Sequence, residues 1–173
     1  IMSNINKLFN IAGFQLSWWA CVFGVQNGHP HFGSIIMAFF LFVHIFFFKI
    51  NTSEIIFIAI VIFLGAVLDT VMLQTTLINY QGLTFEFMAP IWILAMWAGF
   101  ATTINHSLSR LDGKWFYAIL FGSIFGPFSY IAGVKFDALV FHVSFFSITI
   151  LAIVWGLTLP FLFYLNNKIV LEK

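Results

Sequence analysis

Charge is scarce in this sequence. Seven Lys and Arg and six Asp and Glu are spread over 173 residues, 8% of the chain. A soluble domain carries about 25% charged residues, so a water-exposed globule is excluded for most of the chain. Net charge is +1 without a basic cluster, which argues against a nucleic-acid partner. Cys21 is the sole cysteine, so no internal disulfide and no CxxC metal or redox motif exists. There is no HExxH and no His-rich box, which speaks against the di-iron desaturase and hydroxylase class. No internal repeat or long polar linker divides the chain.

Apolar side chains fill the space that charge leaves. They make up 62% of the residues, with 25 Phe, and mean hydropathy is +1.05. Six apolar runs alternate with short polar breaks. A span needs about 20 apolar residues to cross about 30 Å of hydrocarbon. The runs predict six transmembrane helices at about 8–25, 32–48, 55–74, 88–108, 115–134 and 141–165, forming one domain over 1–173. Spanning strands would alternate in polarity; runs such as IIFIAIVIFLGAVL do not. Helices satisfy the backbone in lipid. An apolar run after Lys7 also resembles a cleaved leader, but no small-x-small site precedes the second run, so helix 1 is expected to stay.

Cations set the orientation. With the N-terminus inside, the inside segments hold Lys7, Lys49, Arg110, Lys114, Lys168 and Lys173, and the outside segments hold only Lys135. Both termini are therefore expected to be cytoplasmic. Trp18, Trp19, Trp92, Trp115 and Tyr164 lie toward span ends, as an aromatic belt would.

Helical rise places the polar groups in depth. Asp69 comes roughly 21 Å above the cytoplasmic face at about 1.5 Å per residue. Tyr130, Ser129 and Trp92 fall in the same outer layer. Glu86, His29, His31, Asp137 and His142 would form its rim. Asn105, His106, Ser107 and Arg110 sit near the cytoplasmic interface, with His44 and Gln15 somewhat deeper. An Asp69–His106 acid/base dyad is rejected, because straight helices put the two about 18 Å apart along the normal.

An ionisable residue inside a span is costly and faces a partner or a cavity. Asp69 is thus the leading candidate for chemistry, with Tyr130 beside it; the structural alternative is a carboxyl bonded to Tyr130 or a helix end. Trp92, Ser129, Asn105, His106 and Arg110 are candidates for substrate or lipid contact. For Asn105, His106 and Ser107 the plainer reading is an interfacial helix end with polar glue. His29, His31, His142 and Asp137 suit zinc by donor type, but HxH across Pro30 is weak spacing, and no metal or cofactor is expected. Gly65, one turn before Asp69, lets another helix approach. Gly122 and Gly126 offer a small-xxx-small contact and Pro127 a kink. Trp97, Phe100 and Phe125 read as packing.

One stretch carries much of this, Ala95 to Phe116. The pattern Pro90-x-Trp92, Trp97-x-x-Phe100-x-Thr102-Thr103-x-Asn105-x-Ser107-Leu108-x-x-Leu111 is followed by Gly126-Pro127-x-x-Tyr130-x-x-Gly133. With Gln15-x-x-Trp18 and Asp69, it resembles a bacterial inner-membrane family, domain of unknown function 2878, over nearly the whole chain. The family pattern has no His between the Asn and the Ser, so the resemblance speaks against a catalytic His106. Its members are often encoded beside cyclopropane-fatty-acid-synthase-like and other lipid-modifying proteins. The resemblance thereby implies, by association, a role in membrane-lipid modification or envelope stress. The expected function is an enzyme or accessory factor acting on a lipid-soluble substrate, with membrane lipids and other membrane proteins as partners. The alternatives are a structural subunit of a larger membrane complex, which needs no internal cavity, and a small carrier or channel, which needs a polar path between the two layers.

Overall fold

A computed structural model describes residues 4–171; Lys173, counted above for orientation, lies outside them. The chain is all-α. It folds into α1 (Asn4–Gln26), α2 (Pro30–Phe48), α3 (Thr52–Gln74), α4 (Ile91–Asn105), α5 (Trp115–Lys135) and α6 (Phe145–Asn166). Five of these, α1, α2, α3, α5 and α6 with the turn after it, are long and apolar enough to cross a membrane. Their outward faces carry Phe, Ile and Leu, among them Phe39, Phe63, Phe116 and Phe146.

α1 and α2, α3 and α4, and α5 and α6 form antiparallel pairs, whereas α2 and α4 pack side by side in parallel. Gly33 lies against the Cys21 backbone, and a Cβ there would come within 2.0 Å of the Cys21 Cα. Gly122 and Gly126 bring α5 onto Trp155 of α6 in the same way. The small-xxx-small reading of α5 therefore holds as close helix contact. Between α3 and α4, Gly65 meets Trp97 and the Thr70 hydroxyl accepts from the Ala89 N–H.

α4 is the hub. It packs against α1, α2, α3 and α6, and 9 of its 15 residues are buried. It is also shorter than the expected 88–108. Pro90 at the N-cap sets its start. At the other end, Thr102 and Thr103 donate their hydroxyls to the carbonyls of Gly99 and Phe100. Such back-bonding competes with the helical ladder. The chain leaves the helix at His106 (φ −113°, ψ −89°) and makes a short 3₁₀ turn, Ser109–Leu111.

Two connections pair as a minimal antiparallel ribbon, β1 (Asn79–Tyr80) with β2 (Leu139–Val140). No sequence signal marked it. It shortens the sixth helix, which starts after Ser144, where Ser144 and Ser147 form a reciprocal cap. α3 starts on an equally definite cap: the Asn51 side chain accepts from the Glu54 N–H at 2.8 Å. Asn51→Ala is expected to cost about 1 kcal/mol, read as a lower midpoint of thermal unfolding in detergent; an unchanged midpoint would remove the cap from the account.

Candidate functional site

The site begins with Gly65. Having no Cβ, it lets the Trp97 ring approach to 2.1 Å of where that atom would stand. Trp97 thus comes to lie beside Asp69, one turn on in α3. Asp69 is 1% exposed. Its Oδ2 accepts the Trp97 indole N–H at 2.5 Å. Its Oδ1 accepts the Tyr130 hydroxyl at 2.8 Å and the Tyr80 hydroxyl at 2.5 Å. One carboxylate therefore ties α3 to α4, α5 and the ribbon. Indole can only donate, so Oδ2 acts as an acceptor. Burial first, then the neighbouring Tyr130 and Asp69, push the Tyr80 phenol far above its ordinary range, so it remains a donor.

Asp69 and Tyr130, placed in one layer by helical rise, are in direct contact. Trp97 packs, as expected, and its N–H also reaches the carboxylate. Tyr80 was not foreseen; it sits in a loop by hydropathy, and only the β1–β2 pairing turns it inward. Trp92 belongs to the same layer but bonds elsewhere, donating to the Gln81 carbonyl at 2.9 Å. The Ser129 hydroxyl donates to the Gly126 carbonyl at 2.7 Å and does not join the cluster.

A cavity of about 420 Å³ adjoins this cluster, between α1 and α4 on one side and α5 and α6 on the other. Its walls are mainly aromatic: Phe14, Trp18, Phe100, Phe121, Phe125 and Trp155. Asp69, Tyr130, Ser129 and Gln15 supply its polar edge. On α1 the lining runs from Ile11 to Val22, a length of roughly 16 Å at helical rise. Trp19 and Phe23 meet Phe136 edge-on. Trp155 stacks flat on Trp97 at 5.1 Å.

The polar group around the end of α4 divides into three. Asn10 bonds both the Thr102 hydroxyl, at 3.0 Å, and the Ser107 hydroxyl, at 2.7 Å. Asn105 accepts from Asn166 of α6 at 2.6 Å. His106 turns instead to Glu54, with Nε2 2.7 Å from Oε1. Arg110 is exposed in the 3₁₀ turn. The polar-glue reading thus describes Asn105 and Ser107. His44, expected deeper than His106, lies edge-on to it at 4.6 Å. Glu54, read as part of a loop, is buried in the first turn of α3.

The outer histidines do not assemble. His29, His31, His142 and Asp137 are exposed. Among the described residues, the metal-capable grouping of His, Cys, Asp and Glu is His44, Glu54 and His106. His106 and Asp69 lie in separate clusters, as the depth argument required.

The chain belongs to the family described as a protein of unknown function, DUF2878, which matches residues 7–161. No curated protein and no solved structure matches it.

Proposed function

We propose that this chain crosses the bacterial inner membrane six times, with both termini cytoplasmic, and binds a lipid-soluble molecule in the cavity beside Asp69. The cavity carries the reading: it is elongated, walled by aromatic rings and edged by a few polar groups, the usual makeup of a small-molecule site. Its length along α1 suits an acyl or isoprenyl chain. Gln15, exposed on the α1 wall, supplies hydrogen bonds for a polar head. Asp69 holds Tyr130 and Trp97 in place, and Asp69 with Tyr130 is the pair to which we assign any acid/base step.

We count α4 as the sixth crossing beside the five long helices, although its 15 residues cover only about 22 Å. The six-to-one bias of cations supports the orientation. A role in membrane-lipid modification, as enzyme or accessory factor, rests on the cavity and on the family likeness. A purely structural subunit needs no such cavity. A carrier needs a polar path, whereas Phe57, Val61, Ala101 and Ile104 are buried between the Asp69 and His106 clusters.

Ala132 lines the cavity, so Ala132→Trp fills part of it. Wild-type protein purified in a short-chain detergent is expected to retain a lipid species that mass spectrometry identifies. Ala132→Trp is expected to retain at least fivefold less, with an unchanged unfolding midpoint. Equal retention would overturn the cavity as the binding site. In a deletion strain, an unchanged lipid profile would overturn the role in modification, and full complementation by Asp69→Asn would remove Asp69 from the chemistry.

A further inference from the structure

The second buried cluster lies where α2 ends, α3 begins and α4 breaks off. We propose that His44, Glu54 and His106 bind one divalent transition-metal ion of the zinc class, clipping these three elements together. One observation starts the argument. His44 is 0% exposed, yet neither ring nitrogen has a hydrogen-bond partner. Its Nε2 stands 3.8 Å from Glu54 Oε1, too far for a hydrogen bond. Buried polar groups are otherwise almost always satisfied, and an orphan calls for an explanation such as an ion.

The donor set and its spacing supply that explanation. Two imidazoles and one carboxylate are zinc ligands of the ordinary kind. One donor atom from each of the three residues lies within 4.8 Å of the others. His106 Nε2 is 2.7 Å and His44 Nε2 3.8 Å from the same carboxylate oxygen. Tetrahedral bonds of about 2.0–2.1 Å place neighbouring ligand atoms about 3.4 Å apart, between those two distances. Small side-chain shifts bring all three onto one ion. The second carboxylate oxygen or a water completes the shell.

The surroundings favour a held ion over a passing one. Phe48 packs on both imidazoles, at 4.5 and 4.6 Å, and Phe40 on His44 at 5.8 Å. The Asn51 cap fixes the backbone of Glu54, and the early end of α4 delivers His106. None of the three residues lines the cavity beside Asp69, so the ion serves the fold and stands apart from the lipid-binding reading.

The test uses full-length protein with a tag free of histidine, stripped with a chelator in detergent. Zinc is titrated against a chromophoric chelator, and cobalt is added as a visible probe. Wild type is expected to bind one equivalent of zinc, to unfold at a higher temperature when loaded, and to show the cobalt bands of a four-coordinate nitrogen and oxygen site. His44→Gln, Glu54→Gln and His106→Gln are each expected to weaken binding about 100-fold or more, since even outer-shell losses cost about 10–100-fold. A His29→Gln/His142→Gln double variant is expected to bind as wild type does. Less than a tenth of an equivalent in wild type, or binding lost in the double variant instead, overturns the proposal; the cluster is then a hydrogen-bonded Glu54–His106 pair only. Where a cluster variant fails to fold, the wild-type cobalt spectrum decides: absent four-coordinate bands overturn the site.

Discussion

Asp69→Ala is expected to lower the unfolding midpoint in detergent by on the order of 10 °C, from a loss of about 3–5 kcal/mol. The reason is the number of groups that one carboxylate serves. Tyr80, Tyr130 and Trp97 all donate to it. Removing it leaves two hydroxyls and an indole N–H buried without an acceptor, at about 1–3 kcal/mol for each orphan before relaxation. Relaxation makes the total smaller than the sum. Tyr130→Phe removes a donor and leaves the carboxylate two others, so it is expected to cost only about 1 kcal/mol. That asymmetry is the diagnostic. If Asp69→Ala and Tyr130→Phe lower the midpoint equally, the carboxylate is not the common tie among α3, α4, α5 and the ribbon.

Gly65→Val is expected to be of similar size, about 3–5 kcal/mol, from overpacking together with a lost hydrogen bond. The steric term is unusually definite. A Cβ at position 65 falls 2.1 Å from the Trp97 Cγ and 2.2 Å from the Trp97 Cδ2. Trp97 cannot simply recede, because Trp155 is stacked on its far face. Any shift draws its N–H away from Asp69. Against this stands the gain of about 1 kcal/mol that replacing a helical Gly by Ala normally brings; the clash outweighs it, so Gly65→Ala should also destabilise, by less than Val. Thermal unfolding followed by tryptophan fluorescence checks both. A Gly65→Ala protein more stable than wild type would show that the α3–α4 contact is looser than described.

The two clusters differ in how they could be found. The outer one was half visible, since a lone Asp inside an apolar run is conspicuous and helical rise carries Tyr130 to its level. Trp97 and Tyr80 were hidden for separate reasons. A tryptophan in a span has a packing role by default, and its N–H partner is a matter of rotamer. Tyr80 is turned inward by a two-residue ribbon that has no hydrophobic alternation to betray it. At the other end, Glu54 reads as loop because it follows Lys49 and Asn51, and neither helix by itself shows that His44 and His106 meet.

The sequence by itself determined the solvent. So few charges and so many Phe, Ile and Leu leave no arrangement but helices in lipid, and the polar breaks between apolar runs follow the connections to within a few residues. Local chemistry reached further in places, with Gly65 marking a close approach and Asp69 a buried demand for donors. Only the tertiary structure decided which donors answer that demand, where α4 ends, and that a cavity remains between the two halves of the bundle. The physical reason is one of range. Hydropathy and helical rise are properties of single segments. Hydrogen-bond partners, ring stacking and empty space arise only where two or more segments meet.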